Sequence, residues 1–142
     1  MEDFDPTIDE QRLDTEWLRQ AAMVFSIGKR LAEATKQLTL TKNKQKAFAA
    51  ELSHEIRSNP GAYGLTKVTE NALDNAILAN ETHAKMSQNL VQLQYDVDML
   101  TGADKALIHK RVALQNLTDL LGRHYIADRE WKPKQKERRS GS

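Results

Sequence analysis

The chain contains no cysteine. Disulfide bridges and thiolate metal sites are therefore excluded, and nothing marks an oxidising compartment. Aromatic residues are scarce, at 6% of the 142 residues. Only three prolines and six glycines punctuate the chain, so long uninterrupted elements are possible. No apolar run approaches the length needed to cross a bilayer. The start, Met1-Glu2-Asp3-Phe4-Asp5, is acidic and carries no apolar stretch, so a signal peptide is not expected and a cytoplasmic location is.

Catalytic signatures are also missing. His54-Glu55 opens like a zinc-protease HExxH motif, but its fifth position is Ser58. His54, His83, His109 and His124 show no ligand spacing among themselves. No GxGxxG, GxxxxGK[ST] or GxSxG occurs, and no carboxylate pair stands out as acid and base. The expectation is a protein that is not an enzyme and uses no metal or cofactor.

What remains is charge and periodicity. Charged residues make up 29% and apolar ones 39%, a balance suited to narrow helical seams with solvated outer faces. The net charge of +1 hides separated blocks. Residues 1–20 hold seven acids and two bases, residues 21–60 seven bases and three acids, residues 61–131 seven bases and nine acids, and residues 132–142 five bases and one acid. Such blocks favour contacts between copies, or a polyanion held on one face; solvated helix faces with a solubilising tail are the plainer reading.

Trp17, Ala21, Val24, Gly28, Leu31, Thr35 and Leu38 alternate steps of four and three, a heptad seam that continues less cleanly through Ala49, Leu52 and Ile56. Lys42 and Gln45 interrupt it. One long helix over about residues 10–57 is expected, with a bend near Thr39–Thr41. Ser58-Asn59-Pro60-Gly61 ends it, because proline denies Asn59 the α region and donates no hydrogen bond. Residues 58–65 form a loop. Thr66 or Thr69 then caps a short helix, and Asn80 caps a further start. Leu90, Leu93, Val97, Leu100, Leu107, Leu114 and Leu121 share one track, which also carries Asp104, Arg111 and Thr118. Gly122 suits a helix end. Residues 128–142 read as a disordered basic tail.

The expected fold class is all-α. Residues 1–127 form one helical domain, an antiparallel helical hairpin of a long N-terminal helix, loop, short helix and long C-terminal helix. A two-helix hairpin leaves apolar surface outside, and oligomerisation would bury it. Trp17, Val24, Phe25, Leu31 and Leu38 are the candidate oligomer contacts, since they cover more than one stripe of the first helix.

Several basic clusters could hold a polyanion. Lys42 and Lys46 share a helix face, whereas Lys44 points away from that pair. Arg57 lies beside the loop. His109-Lys110-Arg111 forms a second cluster, and Arg123 with His124 and Tyr125 a third. The tail adds Lys132, Lys134, Lys136, Arg138 and Arg139 with Trp131. Each cluster is modest in one copy, but repetition in an assembly makes weak sites add.

From about Ala47 to Tyr125 the chain resembles the UvsY family of phage recombination mediators. The resemblance lies in the order of a helix end, a glycine-containing loop, Lys67-Val68-Thr69-Glu70, Leu93 to Leu107 with Gly102-Ala103, Ile108-His109-Lys110-Arg111, and then Leu114, Leu117 and Asp119. It implies a homo-oligomeric ring, a hexamer or heptamer, that binds single-stranded DNA and helps a RecA-like recombinase displace single-strand-binding protein in the host cytoplasm. The implied DNA surface comprises Lys42, Lys44, Lys46, Arg57, Lys67, Lys110 and Arg111. Where family members carry a basic pair before the loop, this chain reads Ala49-Ala50-Glu51-Leu52, so Lys42, Lys44, Lys46 and Arg57 would take its place. The alternative is a coiled-coil scaffold or chaperone with protein partners only.

Overall fold

A computed structural model describes residues 5–123. Residues 1–4 and 124–142 lie outside the described residues, and with them His124, Tyr125 and the basic tail of residues 128–142. Among the described residues every regular element is helical. The order is α1 (Leu13–Ser58), a 3₁₀ turn (Pro60–Tyr63), α2 (Glu70–Ala79) and α3 (Glu81–Gly122).

Local chemistry explains each boundary. The Asp9 side chain accepts from Gln11 N at 3.0 Å and its carbonyl from Arg12 N at 3.1 Å, a turn that delays α1 to Leu13 rather than residue 10. Asp14 and Glu16 occupy the first turn and Arg57 the last, each favourable to the helix dipole. α1 runs without interruption through Thr39–Thr41. The hydroxyls of Thr35 and Thr39 bond back to the carbonyls of Leu31 and Thr35, which satisfies them within the helix. The helix ends at Ser58, because Pro60 denies the α region to the intervening Asn59.

Gly64 then adopts φ 70°, ψ 18°, the left-handed conformation that costs glycine nothing. Its N–H bonds to Gly61 O at 3.2 Å and closes the 3₁₀ turn. Thr69 caps α2, its hydroxyl accepting from Ala72 N at 3.1 Å. Asn80 ends α2 in extended conformation and caps α3, its side chain accepting from His83 N at 3.0 Å.

The described chain divides into two compact units, residues 5–28 with 102–123, and residues 29–101. In the second unit Leu52, Ile56 and Leu73 form a buried cluster, with Phe48, Leu65, Ala76 and Ile77 packed around it. The apolar face of α2 thus closes over the end of α1. Burial of each such side chain contributes on the order of 2 kcal/mol. Gln45 Nε2 donates to Ser87 Oγ at 2.7 Å, so a polar residue that interrupts the α1 seam finds its partner on α3.

In the first unit α1 and α3 run antiparallel, with Trp17 meeting Thr118 and Gln20 meeting Leu107. Leu107 and Leu114 are fully buried. The facing side of α1 is not the expected one. Glu16, Gln20, Met23 and Ile27 turn inward, one residue before Trp17, Ala21, Val24 and Gly28. On α3 the inward residues are Lys110 and Leu117, one residue before Arg111 and Thr118, and Leu121 is exposed. An α-helix drifts about 20° per heptad from an ideal repeat of 3.5 residues. Extrapolation of an even track along a helix this long therefore ends on the wrong neighbour.

Candidate polyanion and self-association surfaces

Lys42, Lys44 and Lys46 all lie exposed on the second unit's part of α1. Among the described residues none of the three makes an ion pair. Lys42 and Lys46 flank one side of the buried seam marked by Leu38, Gln45 and Leu52, and Lys44 the other. They are near one another but do not form a single stripe.

Arg57 stands about 16 Å further along the helix axis from Lys46. Its guanidinium donates to Glu70 Oε1 at 2.8 Å, so it ties α1 to the start of α2. Both partners are largely exposed, and such a pair contributes only about 0–1 kcal/mol. Lys67 is exposed between the 3₁₀ turn and α2. Nearby, the hydroxyl of Tyr63 donates to Glu55 Oε2 at 3.1 Å, and that bond raises the Tyr63 pKa above its ordinary value.

The first unit changes the membership of the proposed set. Lys110 is not a surface cation. Its side chain is 5% exposed, its ammonium pairs with Glu16 Oε2 at 3.0 Å, and it donates to the Asp5 carbonyl at 3.2 Å. An ammonium spent on a carboxylate and a carbonyl inside the helix pair is not offered to a phosphate. Arg111, expected in the seam, is the exposed member.

Glu16 is the residue that sequence reasoning missed. It accepts from Lys110 and from Asp9 N, the latter at 3.2 Å. The hydrogen bond from Lys110 is the main reason its pKa is lowered, against the opposing effect of burial. Gln20 is missed too. Its Nε2 donates to Leu107 O at 2.9 Å, and its buried Oε1 has no hydrogen-bond partner. The spacing Leu13, Glu16, Gln20, Met23, Ile27 is the signal that could have exposed both, but its two polar members hide it from an apolar count. A cleft of about 350 Å³ beside the pair is lined by Asp5, Thr7, Glu16, Arg19, Ala22, Met23 and Lys110. The Asp5 carboxylate there is held below its usual range by its hydrogen bonds from Thr7.

With polar groups inside, apolar ones face outward. Leu18 is 79% and Phe25 74% exposed, and Trp17 and Val24 lie beside them, also exposed. The Trp17 indole N–H donates to Thr118 Oγ1 at 3.0 Å and so holds the ring at the edge of the helix pair. The other two candidate contacts are placed differently. Leu31 is half-buried, and Leu38 is buried within the chain, so Leu38 contributes to the internal seam rather than to an outer face.

No group of three or more potential metal ligands occurs among the described residues, and no helix there is long and apolar enough to cross a membrane. The chain matches no known protein family, no curated protein and no solved structure.

Proposed function

We propose that the chain is a recombination mediator, which self-associates through the outward apolar face of α1 and binds single-stranded DNA on its exposed bases. The observation that carries the binding half is the trio Lys42, Lys44 and Lys46, exposed and without ion-pair partners among the described residues. Arg111 and Lys67 extend the basic surface, Arg57 contributes weakly because Glu70 shares its charge, and Lys110 drops out. Trp17, Leu18, Val24 and Phe25 support the association half. A contiguous apolar face of this kind is costly to leave in water.

Binding would run through the phosphate backbone with little sequence preference. A homo-oligomeric ring would repeat the lysine trio and raise affinity through effective concentration. The partners are a RecA-like recombinase and the single-strand-binding protein it displaces. These follow from the resemblance to the UvsY family over residues 47–125.

A second reading has an observation in its favour. Lys44 lies on the other side of the seam from Lys42 and Lys46, a distribution that also suits solvated faces of a coiled-coil scaffold or chaperone with protein partners only. A titration of labelled oligothymidine by fluorescence anisotropy at two salt concentrations separates the two, with mass in solution read on the same sample. The mediator reading expects binding by a multi-subunit species that weakens with salt, with a slope of roughly 0.7 per phosphate neutralised. It also expects K42E/K44E/K46E to abolish binding and leave assembly intact. An intact oligomer with no binding at low salt leaves the scaffold.

A further inference from the structure

Ahead of α1 the chain doubles back over the helix pair of the first unit. Two hydrogen bonds join residues 5–9 to the helices, and both go to one ion pair. The Asp5 carbonyl accepts from Lys110 Nζ at 3.2 Å, and the Asp9 N–H donates to Glu16 Oε1 at 3.2 Å. Glu16 and Lys110 pair with each other at 3.0 Å. The segment is therefore strapped across α1 and α3 by the two charges it covers. With it in place their side chains are 11% and 5% exposed.

The strap is lightly held. Among residues 5–9 only Ile8 is half-buried, and the other four are exposed. The Asp5 carboxylate accepts from Thr7 N and Thr7 Oγ1, both within the strap itself. Hollows lie beneath it. Asp5 and Thr7 line one of about 350 Å³ with Met23 and Lys110, and Ile8 and Asp9 line another of about 270 Å³ with Thr15. A segment with so few buried apolar contacts opens locally, at far less cost than global unfolding. The helices keep contacts of their own, since Trp17 bonds to Thr118 and Gln20 to Leu107.

The strap also carries the charge of a polyanion. Residues 5–10 hold Asp5, Asp9 and Glu10 and no base. The base beneath is Lys110, next in sequence to the exposed Arg111. Exposed Arg19 lines the same hollow as Lys110 and makes no ion pair among the described residues. An acidic segment thus sits, carbonyl on ammonium, where a phosphate would otherwise reach Lys110. Once the strap lifts and water enters, Glu16–Lys110 becomes an exposed pair, and exposed pairs hold their partners weakly.

We propose that residues 5–10 are an autoinhibitory strap that withholds Lys110 from single-stranded DNA. When the strap is displaced, Lys110 joins the already exposed Arg19 and Arg111. The DNA backbone is the displacing agent, because its phosphates compete with the strap and with Glu16 for the same ammonium. The proposal rests on the DNA-binding half of the function proposed above.

The test uses the full chain. Thr7→Gly with Ile8→Gly removes the strap's half-buried side chain and loosens its backbone without changing the charge. Ile8→Gly with Asp9→Pro removes the donor to Glu16 instead. A brief pulse of acetic anhydride, followed by peptide mass spectrometry, reads the accessibility of Lys110 against the exposed Lys44. In the wild-type chain Lys110 should react at least tenfold more slowly than Lys44. In both double variants its reactivity should rise at least threefold. Affinity for labelled oligothymidine should rise at least threefold in the charge-neutral variant, and its salt slope should steepen by roughly 0.7, one more phosphate neutralised. Adding Lys110→Met to that variant should cancel both gains. Glu10→Gln removes an acid that anchors nothing, and should leave Lys110 reactivity unchanged.

With helix content retained, Lys110 reactivity that stays at the wild-type level in both double variants overturns the strap. Reactivity that rises while oligothymidine affinity does not overturns its inhibitory role alone. If no chain binds oligothymidine, the function proposed above fails together with that role, and Lys110 reactivity still shows whether the strap covers this residue.

Discussion

Glu16 and Lys110 form an ion pair at 3.0 Å across the antiparallel contact of α1 and α3, with side chains 11% and 5% exposed. The pair is flanked by Gln20 and by the fully buried Leu107 and Leu114. Glu16 and Lys110 occupy the inward positions next to those that an even track would give to Trp17 and Arg111. Removing both charges for apolar side chains is commonly neutral or favourable, whereas removing one strands the other.

The pair makes stability depend on pH. Glu16 has a folded-state pKa below its ordinary value of 4.5, chiefly because Lys110 donates to it. The unfolded chain therefore binds more protons in that range. The pair's contribution is fully present above about pH 4.5 and is lost as pH falls through the depressed folded value. Urea denaturation followed by circular dichroism between pH 7 and pH 3 should show this loss. Glu16→Gln should be less stable at pH 7 and should flatten that part of the profile.

Glycine replacement should separate two kinds of glycine. Gly28→Ala and Gly102→Ala place a methyl group where nothing lies within 4 Å, and each should stabilise the chain by about 0.5–1 kcal/mol. Gly64 has equal space but a φ of +70°, so Gly64→Ala should destabilise by about 1 kcal/mol. Thermal melts of the three variants check the contrast in sign.

Core truncation should follow burial rather than hydrophobicity. Ile56→Ala and Leu107→Ala remove fully buried side chains and should each cost about 2–5 kcal/mol. Leu18→Ala alters a side chain that is mostly in water and should change the stability of the single chain by less than about 0.5 kcal/mol. Denaturant midpoints measured at low protein concentration distinguish them, and any larger effect of Leu18→Ala that grows with concentration belongs to association.

The starts of α2 and α3 should depend on their caps. Thr69 and Asn80 each accept a hydrogen bond from a backbone N–H of the first turn that follows. Thr69→Ala and Asn80→Ala should each cost about 1 kcal/mol. Hydrogen exchange at Ala72 and His83, the two donors, should accelerate in the matching variant alone.

Those caps show what the sequence by itself determined. Pro60, Gly64, Thr69 and Asn80 act through their own backbone and the next three residues, so these helix ends are readable without knowledge of the rest of the chain, whereas the Asp9 turn moves the start of α1 three residues beyond the expected one. The all-helical class is legible for the same reason, as is the seam where strong apolar residues dominate, at Leu38, Leu52, Ile56 and Leu107. Which side of α1 faces α3 between residues 13 and 28 is a different matter. Trp17, Ala21, Val24, Gly28 and Leu13, Glu16, Gln20, Met23, Ile27 are both helical stripes, about 100° apart. Local propensity is indifferent between them, and an apolar count favours the first. Only the tertiary structure decided for the second, because Lys110 on α3 supplies a partner for Glu16 that lies 94 residues away in the chain. The same long-range pairing placed Lys110 inside and Arg111 outside, two adjacent bases that no local rule tells apart.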